Sequence, residues 1–224
     1  GPVFGGGEPS DQDFQISGLL VGQTTKKNVH SKTRNIDIFD VKADVEATLA
    51  ALGAPKKVQI TRAGNSWWHP GRHGCIGLGP KTVLAVFGEI HPKILKAMDV
   101  KGPAVAFTIW PNSIPTPRNK KSTRSALDLV DLQAVERDFA FIVDNKVEAS
   151  DLVIAASGAD KQLIQDVRVF DEFIGKEFGN EKKSIALTVR LQPAEKTLTD
   201  AEIEDLSKKV IEKVENTTGG VLRT

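Results

Sequence analysis

Two segments of this chain alternate so regularly that their inward and outward faces can be assigned from the residues alone. In Arg137–Val143, one face carries Phe139, Phe141 and Val143, and the other Asp138, Ala140 and Ile142. In Lys183–Leu191, Ile185, Leu187, Val189 and Leu191 point one way, and Ser184, Ala186, Thr188 and Arg190 the other. Side chains on a strand alternate with a period of two, so each segment is apolar on one face and small or polar on the other. A sheet built from them has a core behind it and a surface in front that is free to dock a partner.

The segments around these two complete a pattern. A helix over about Val147–Ser157 carries Leu152, Val153 and Ala156, and Gly158 ends it. A further strand runs from about Ile164 to Phe173. Thr199 and Glu202 form a capping box, so a second helix starts there, with Ile203, Leu206, Val210 and Val214 on one stripe and Gly219-Gly220 closing it. Val221-Leu222-Arg223 makes a short final strand. The order βαββαβ predicts a ferredoxin-like antiparallel sheet. Its first and third strands are central neighbours, and both helices cover one face.

The first half reads as a mixed α+β module. Phe14–Gly22 is predicted to be a strand. Asp40–Leu52 is predicted to be a helix, with Val41, Val45, Thr48, Leu49 and Leu52 on its stripe and Gly53 as the stop. Lys57–Arg62, Thr82–Glu89 and Ala104–Trp110 read as strands, the second buried on both faces. Pro92 opens a short helix with Ile94, Leu95 and Met98 as its apolar face.

Charge supports a division into two domains. The chain has 30 Lys and Arg against 29 Asp and Glu, yet residues 1–125 carry a net +8 and residues 126–224 a net −7. The joint is expected at Pro111–Ser125, a proline-rich loop that includes Arg118, Lys120, Lys121 and Arg124. The expected domains are therefore 1–125 and 126–224. No apolar run reaches the length of a membrane span. The single Cys75 excludes an internal disulfide and fits a reducing compartment. With no initiator Met, the chain reads as a piece of something longer, and Gly1-Pro2 also fits a tag-cleavage scar.

No catalytic constellation stands out. His69, His73 and Cys75 lack a fourth metal ligand and fall in a Pro/Gly loop. Gly5-Gly6-Gly7 lacks the following Lys-Ser/Thr of a P-loop and reads as a flexible turn, as does Gly77–Pro80. Trp67-Trp68 beside Arg72 fits a stacking surface and a core plug equally. There is no G-x-S-x-G elbow and no H-E-x-x-H helix. The open face is the better prospect: Ala140, Ser184, Ala186 and Thr188 leave room for a flat group, and Arg168, Phe170 and Arg190 can join them. Such a surface suits splayed RNA bases. The net −7 argues against nonspecific RNA affinity, so any contact would be local. A surface covered by another domain or subunit would need the same small residues.

Several motifs occur in a fixed order: Arg137–Ala140, Val169–Gly175, Lys183–Ala186, Thr197–Asp200 and Leu222-Arg223. Together they resemble the ferredoxin-fold anticodon-binding domain that ends the β subunit of bacterial phenylalanyl-tRNA synthetases. Phe39–Lys42, His69–Arg72 and Gly88–Pro92 are similar to the catalytic-like module preceding that domain. The resemblance implies a class II synthetase-like module without catalysis, followed by the anticodon-binding domain. It implies an (αβ)₂ heterotetramer in the cytoplasm, with the α subunit joining phenylalanine to ATP and then to tRNA(Phe). ATP and magnesium serve the whole enzyme, and this fragment is expected to hold no cofactor, no metal and no active site. By motif match the anticodon contacts are Ala140, Asp171, Phe173 and Ser184. Phe173 would stack a base, Asp171 would accept a base N–H, and Ser184 would hydrogen-bond near the open face. The family often has Tyr where Phe173 stands and Gly where Ala43 stands. Two rival readings remain: a ferredoxin-like regulatory or oligomerisation module with its sheet buried on a partner, and a catalytic class II-like enzyme.

Overall fold

The computed structural model describes residues 1–79, 81–116, 130–179, 181–194 and 196–223. It divides into two units, Gly1–Thr123 and Arg124–Thr224. Most of the expected charged joint, including Arg118, Lys120, Lys121 and Arg124, lies outside the described residues, as does the expected boundary after residue 125.

The first unit opens with a hairpin of β1 (Pro2–Phe4) and β2 (Gln12–Phe14). The expected Phe14–Gly22 strand is interrupted at Gln15, and β3 runs over Ile16–Val21. Helix α1 (Ile38–Ala51) begins two residues before its expected start. Asp37 caps it, its side chain accepting the Phe39 and Asp40 N–H groups. Val41, Val45 and Leu49 are buried as the periodicity requires, whereas Leu52 is the exposed C-cap. The strands β4 (Gln59–Thr61), β5 (Trp68–Leu78), β6 (Thr82–Ile90) and β7 (Ala104–Ile109) join β3 in an antiparallel sheet ordered β3-β7-β6-β5-β4. The short helix α2 (Pro92–Ala97) follows β6, and Met98 lies exposed at its C-cap instead of joining an apolar face. Helix α1 packs on one face of the sheet, over Ile76, Leu84, Ala85, Phe87, Val105 and Ile109.

Strand β5 corrects the sequence reading. Trp68–Arg72, Gly77 and Leu78 belong to an eleven-residue strand, not to loops. Pro70 and Gly71 sit within a register shift between Trp68 and His73, where the ladder has no bond for proline to break. Trp68 is buried and Trp67 is exposed, so the two indoles take different roles.

The second unit follows the expected order closely. Strand β8 (Val135–Asp144), helix α3 (Ala149–Ser157), β9 (Ile164–Phe173), β10 (Lys182–Leu191), helix α4 (Asp200–Thr218) and β11 (Val221–Leu222) form a sheet ordered β11-β8-β10-β9. All its pairs are antiparallel, and β8 and β10 are the central neighbours. Helix α3 starts at Ala149, two residues later than expected. Both helices contribute to one core with Phe139, Phe141, Val143, Ile185, Leu187, Val189 and Leu191. From α3 the buried residues are Leu152, Ala155 and Ala156, and from α4 Leu206, Val210 and Val214. Thr199 Oγ1 accepts the Glu202 N–H at 3.3 Å, and the Glu202 carboxylate accepts the Thr199 N–H at 2.9 Å. At the other end Gly219 takes φ +68°, a left-handed cap that costs a residue with a Cβ about 1 kcal/mol or more.

Candidate nucleic-acid interface

Strand register decides what the uncovered face of the second sheet presents. Four rows cross β8, β10 and β9 in turn: Glu136–Arg190–Asp166, Asp138–Thr188–Arg168, Ala140–Ala186–Asp171 and Ile142–Ser184–Phe173. A bulge in β9, between the partners of Ala186 and Leu187, takes up Phe170 as an extra residue. Without that bulge Asp171 and Phe173 would fall on the core side, because a one-residue slip exchanges the faces of a strand. The four expected site residues therefore stand together, two in each of two neighbouring rows.

The charged end of the face is largely self-neutralised. Glu136 meets Arg168 at 3.3 Å and Arg190 at 3.8 Å, and Arg168 also approaches Asp166 at 3.5 Å. Asp138 accepts a hydrogen bond from Thr188 Oγ1 at 2.7 Å. Arg168 and Arg190, both candidates from sequence, are thus engaged with carboxylates of their own sheet.

The other end is flat, small and aromatic. Ala140 and Ala186 make a half-buried floor, and Asp171 is exposed at its β9 edge. The Phe173 ring is 44% exposed and meets the Phe178 ring edge-on, centroids 6.0 Å apart at 87°. Phe178 belongs to a 3₁₀ turn, Lys176–Phe178, between β9 and β10. Gly175 lies so close to Phe173 that a Cβ there would come within 2.9 Å of the ring's Cζ and nearer still to Cε1. Ser184, though on this face, is only 4% exposed, so a ligand reaches it only after the groups above it move aside. Phe178 carried no expectation from sequence. The only signal for it was an aromatic residue followed by Gly179 in a loop.

The remaining candidates do not assemble into chemistry. The first unit's His73 Nδ1 lies 2.8 Å from the His69 carbonyl oxygen, and His69 Nδ1 accepts the Gly71 N–H at 3.1 Å. Burial pushes the Cys75 thiol up, against a smaller opposite effect of its hydrogen bond with Thr61. Arg72 forms a two-pronged ion pair with Glu89. Among the described residues no group of three or more His, Cys, Asp or Glu side chains is placed to hold a metal ion. No helix among them is long and apolar enough to cross a membrane.

The ferredoxin-like sheet has both helices on one face, and its open face presents small, aromatic and acidic side chains, a surface on which splayed RNA bases can stack. The comparisons agree. Residues 131–223 match the ferredoxin-fold anticodon binding domain, and residues 1–110 match the phenylalanyl tRNA synthetase beta chain CLM domain. The chain is 65% identical over 223 residues to a phenylalanine–tRNA ligase beta subunit of Ruegeria pomeroyi, and 59% identical over 227 residues to that of Cereibacter sphaeroides. Both alignments span 100% of this chain and 28% of the relative. A third, from Mesorhizobium japonicum, is 53% identical over 97% of this chain and 28% of the relative. The chain belongs to the phenylalanyl-tRNA synthetase beta chain family and spans about 28% of the length of the curated relatives it matches.

Proposed function

We propose that the second unit holds the anticodon region of tRNA(Phe) on its open sheet face, through Ala140, Asp171, Phe173 and Ser184. The observation that carries this reading is the shared placement of those four residues in two adjacent rows. Phe173 offers a ring on which a base stacks. Asp171 accepts a base N–H. The alanine floor lets the base approach the backbone, and Ser184 bonds once uncovered. The domains behind this reading are 1–125, a class II synthetase-like module without catalysis, and 126–224. The first supports assembly of α and β subunits into an (αβ)₂ phenylalanine–tRNA ligase in the cytoplasm. ATP and magnesium act elsewhere in that enzyme, and this fragment contributes no active site.

The test is Phe173→Ala and Asp171→Ala, each in the complete β subunit assembled with its α partner. Loss of a base stack costs about 1–3 kcal/mol, and loss of a charged hydrogen bond a similar amount. Both variants should bind and charge tRNA(Phe) more weakly, with a smaller preference over an anticodon-swapped tRNA. Unchanged affinity and charging would remove these residues from the site. A second reading, a module whose sheet is covered by a partner subunit, is favoured by Phe170, Ile174 and Val221, which are 59%, 68% and 60% exposed. Sedimentation showing a tight homodimer that buries this face would decide for it.

A further inference from the structure

Three side chains from separate segments meet in a line across the open face. Phe173 ends β9 at one edge, and Phe178 lies in the turn after it. Arg223 follows β11 at the opposite edge. The Arg223 N–H donates to the Ala140 carbonyl at 2.7 Å, which places Arg223 at the end of the Ala140–Ala186–Asp171 row. Its guanidinium reaches inward, with Cζ 5.2 Å from the centre of the Phe178 ring.

Arg223 differs from the two arginines within the rows of this face. Arg168 and Arg190 both meet Glu136, whereas Arg223 has no ion-pair partner among the described residues and is exposed. A guanidinium set against a ring is held by the cation–π attraction while its N–H edge stays open. That edge is a fork of donors suited to phosphate oxygens. Residues 126–224 carry a net −7, so attraction for RNA has to come from a cation that no neighbouring carboxylate cancels. Single-stranded nucleic acid is held by aromatic stacking combined with cations along the backbone.

We propose that Arg223 binds a backbone phosphate of the RNA strand whose bases lie against Phe173 and the Ala140–Ala186 floor, and that Phe178 is the positioning residue that seats its guanidinium. This rests on the anticodon-binding reading. The experiment uses the assembled ligase, titrated across a salt series with tRNA(Phe) and with an anticodon-swapped tRNA, read by fluorescence anisotropy. Arg223→Gln should weaken binding on the order of tenfold. It should also flatten the slope of log affinity against log salt by about 0.7, the share of one single-strand phosphate. Arg223→Lys should keep that slope while losing part of the affinity, since an ammonium keeps the charge without the planar stack. Wild-type affinity and slope in Arg223→Gln would overturn the proposal. So would weaker binding at an unchanged slope, which would make Arg223 a base contact or a purely structural one. If the unmodified enzyme shows no preference between the two tRNAs, the anticodon reading itself fails and this inference falls with it.

Discussion

Replacing Gly175 with alanine separates folding from RNA binding at a residue that need touch no RNA. The added Cβ would stand 2.9 Å from Phe173 Cζ, closer still to Cε1, and 3.4 Å from a Glu177 carboxylate oxygen. The two nearest atoms are the far end of a side chain that is 44% exposed, so the ring can swing away with little loss of packing. The substitution also narrows the unfolded ensemble, which favours folding by about 0.4–1 kcal/mol. These effects oppose each other, and thermal or urea unfolding should move by no more than about 1 kcal/mol. On the proposed reading a displaced Phe173 no longer meets a base, so tRNA(Phe) affinity should fall by about 1–3 kcal/mol, roughly five- to 150-fold. Unfolding measured on the 224-residue chain and anisotropy titration of the assembled ligase give the two numbers. Unchanged affinity would refute the argument that Gly175 places the Phe173 ring for stacking. A loss of several kcal/mol in stability would refute the premise that the ring yields cheaply.

Glu136→Gln should release Arg190 from its carboxylate, while Arg168 keeps its contact with Asp166. The salt dependence of RNA binding should then steepen by about 0.7, one single-strand phosphate, with equal gains for cognate and anticodon-swapped tRNA; an unaltered slope would show that the pair does not hold this cation back. The acid limb of stability should respond to Glu202. Its carboxylate is lowered from an ordinary 4.5 to about 2, first by the Lys196 ammonium and then by the Thr199 N–H and hydroxyl. The stabilisation this brings is present in full above about pH 4.5 and fades as pH falls towards 2. In Glu202→Gln the fall in melting temperature over that interval should be shallower than in the wild type, and identical slopes would count against the ion pair.

Much of the second unit was legible because its signals are local and repeated. The period of two in Arg137–Val143 and Lys183–Leu191, the Thr199–Glu202 box and the 3.6-residue stripe of α4 all report the same burial, and each element lies within two residues of its expected start. The first unit was harder. Pro70 and Gly71 punctuate β5 in a way that reads as a loop, and only pairing with β6 shows that the strand continues past them. Trp67 and Trp68 are indistinguishable by residue type, yet Trp68 opens β5 and is buried, whereas Trp67 stays in the turn before it and is exposed.

By itself, then, the sequence determined that a sheet with one apolar and one small-residue face exists, which strands are central, and that two helices cover its apolar side. It also carried the motifs that tie Asp171, Phe173, Ala140 and Ser184 to the family. What it could not determine was the state of that face. Register between distant strands sets Glu136 against Arg168 and Arg190, a bulge turns Asp171 and Phe173 outward, and Phe178 and Arg223 meet near residues far from them in sequence. Those contacts depend on where β11 and the β9–β10 turn come to rest against the finished sheet, and no local periodicity encodes a distance between segments that meet only on folding.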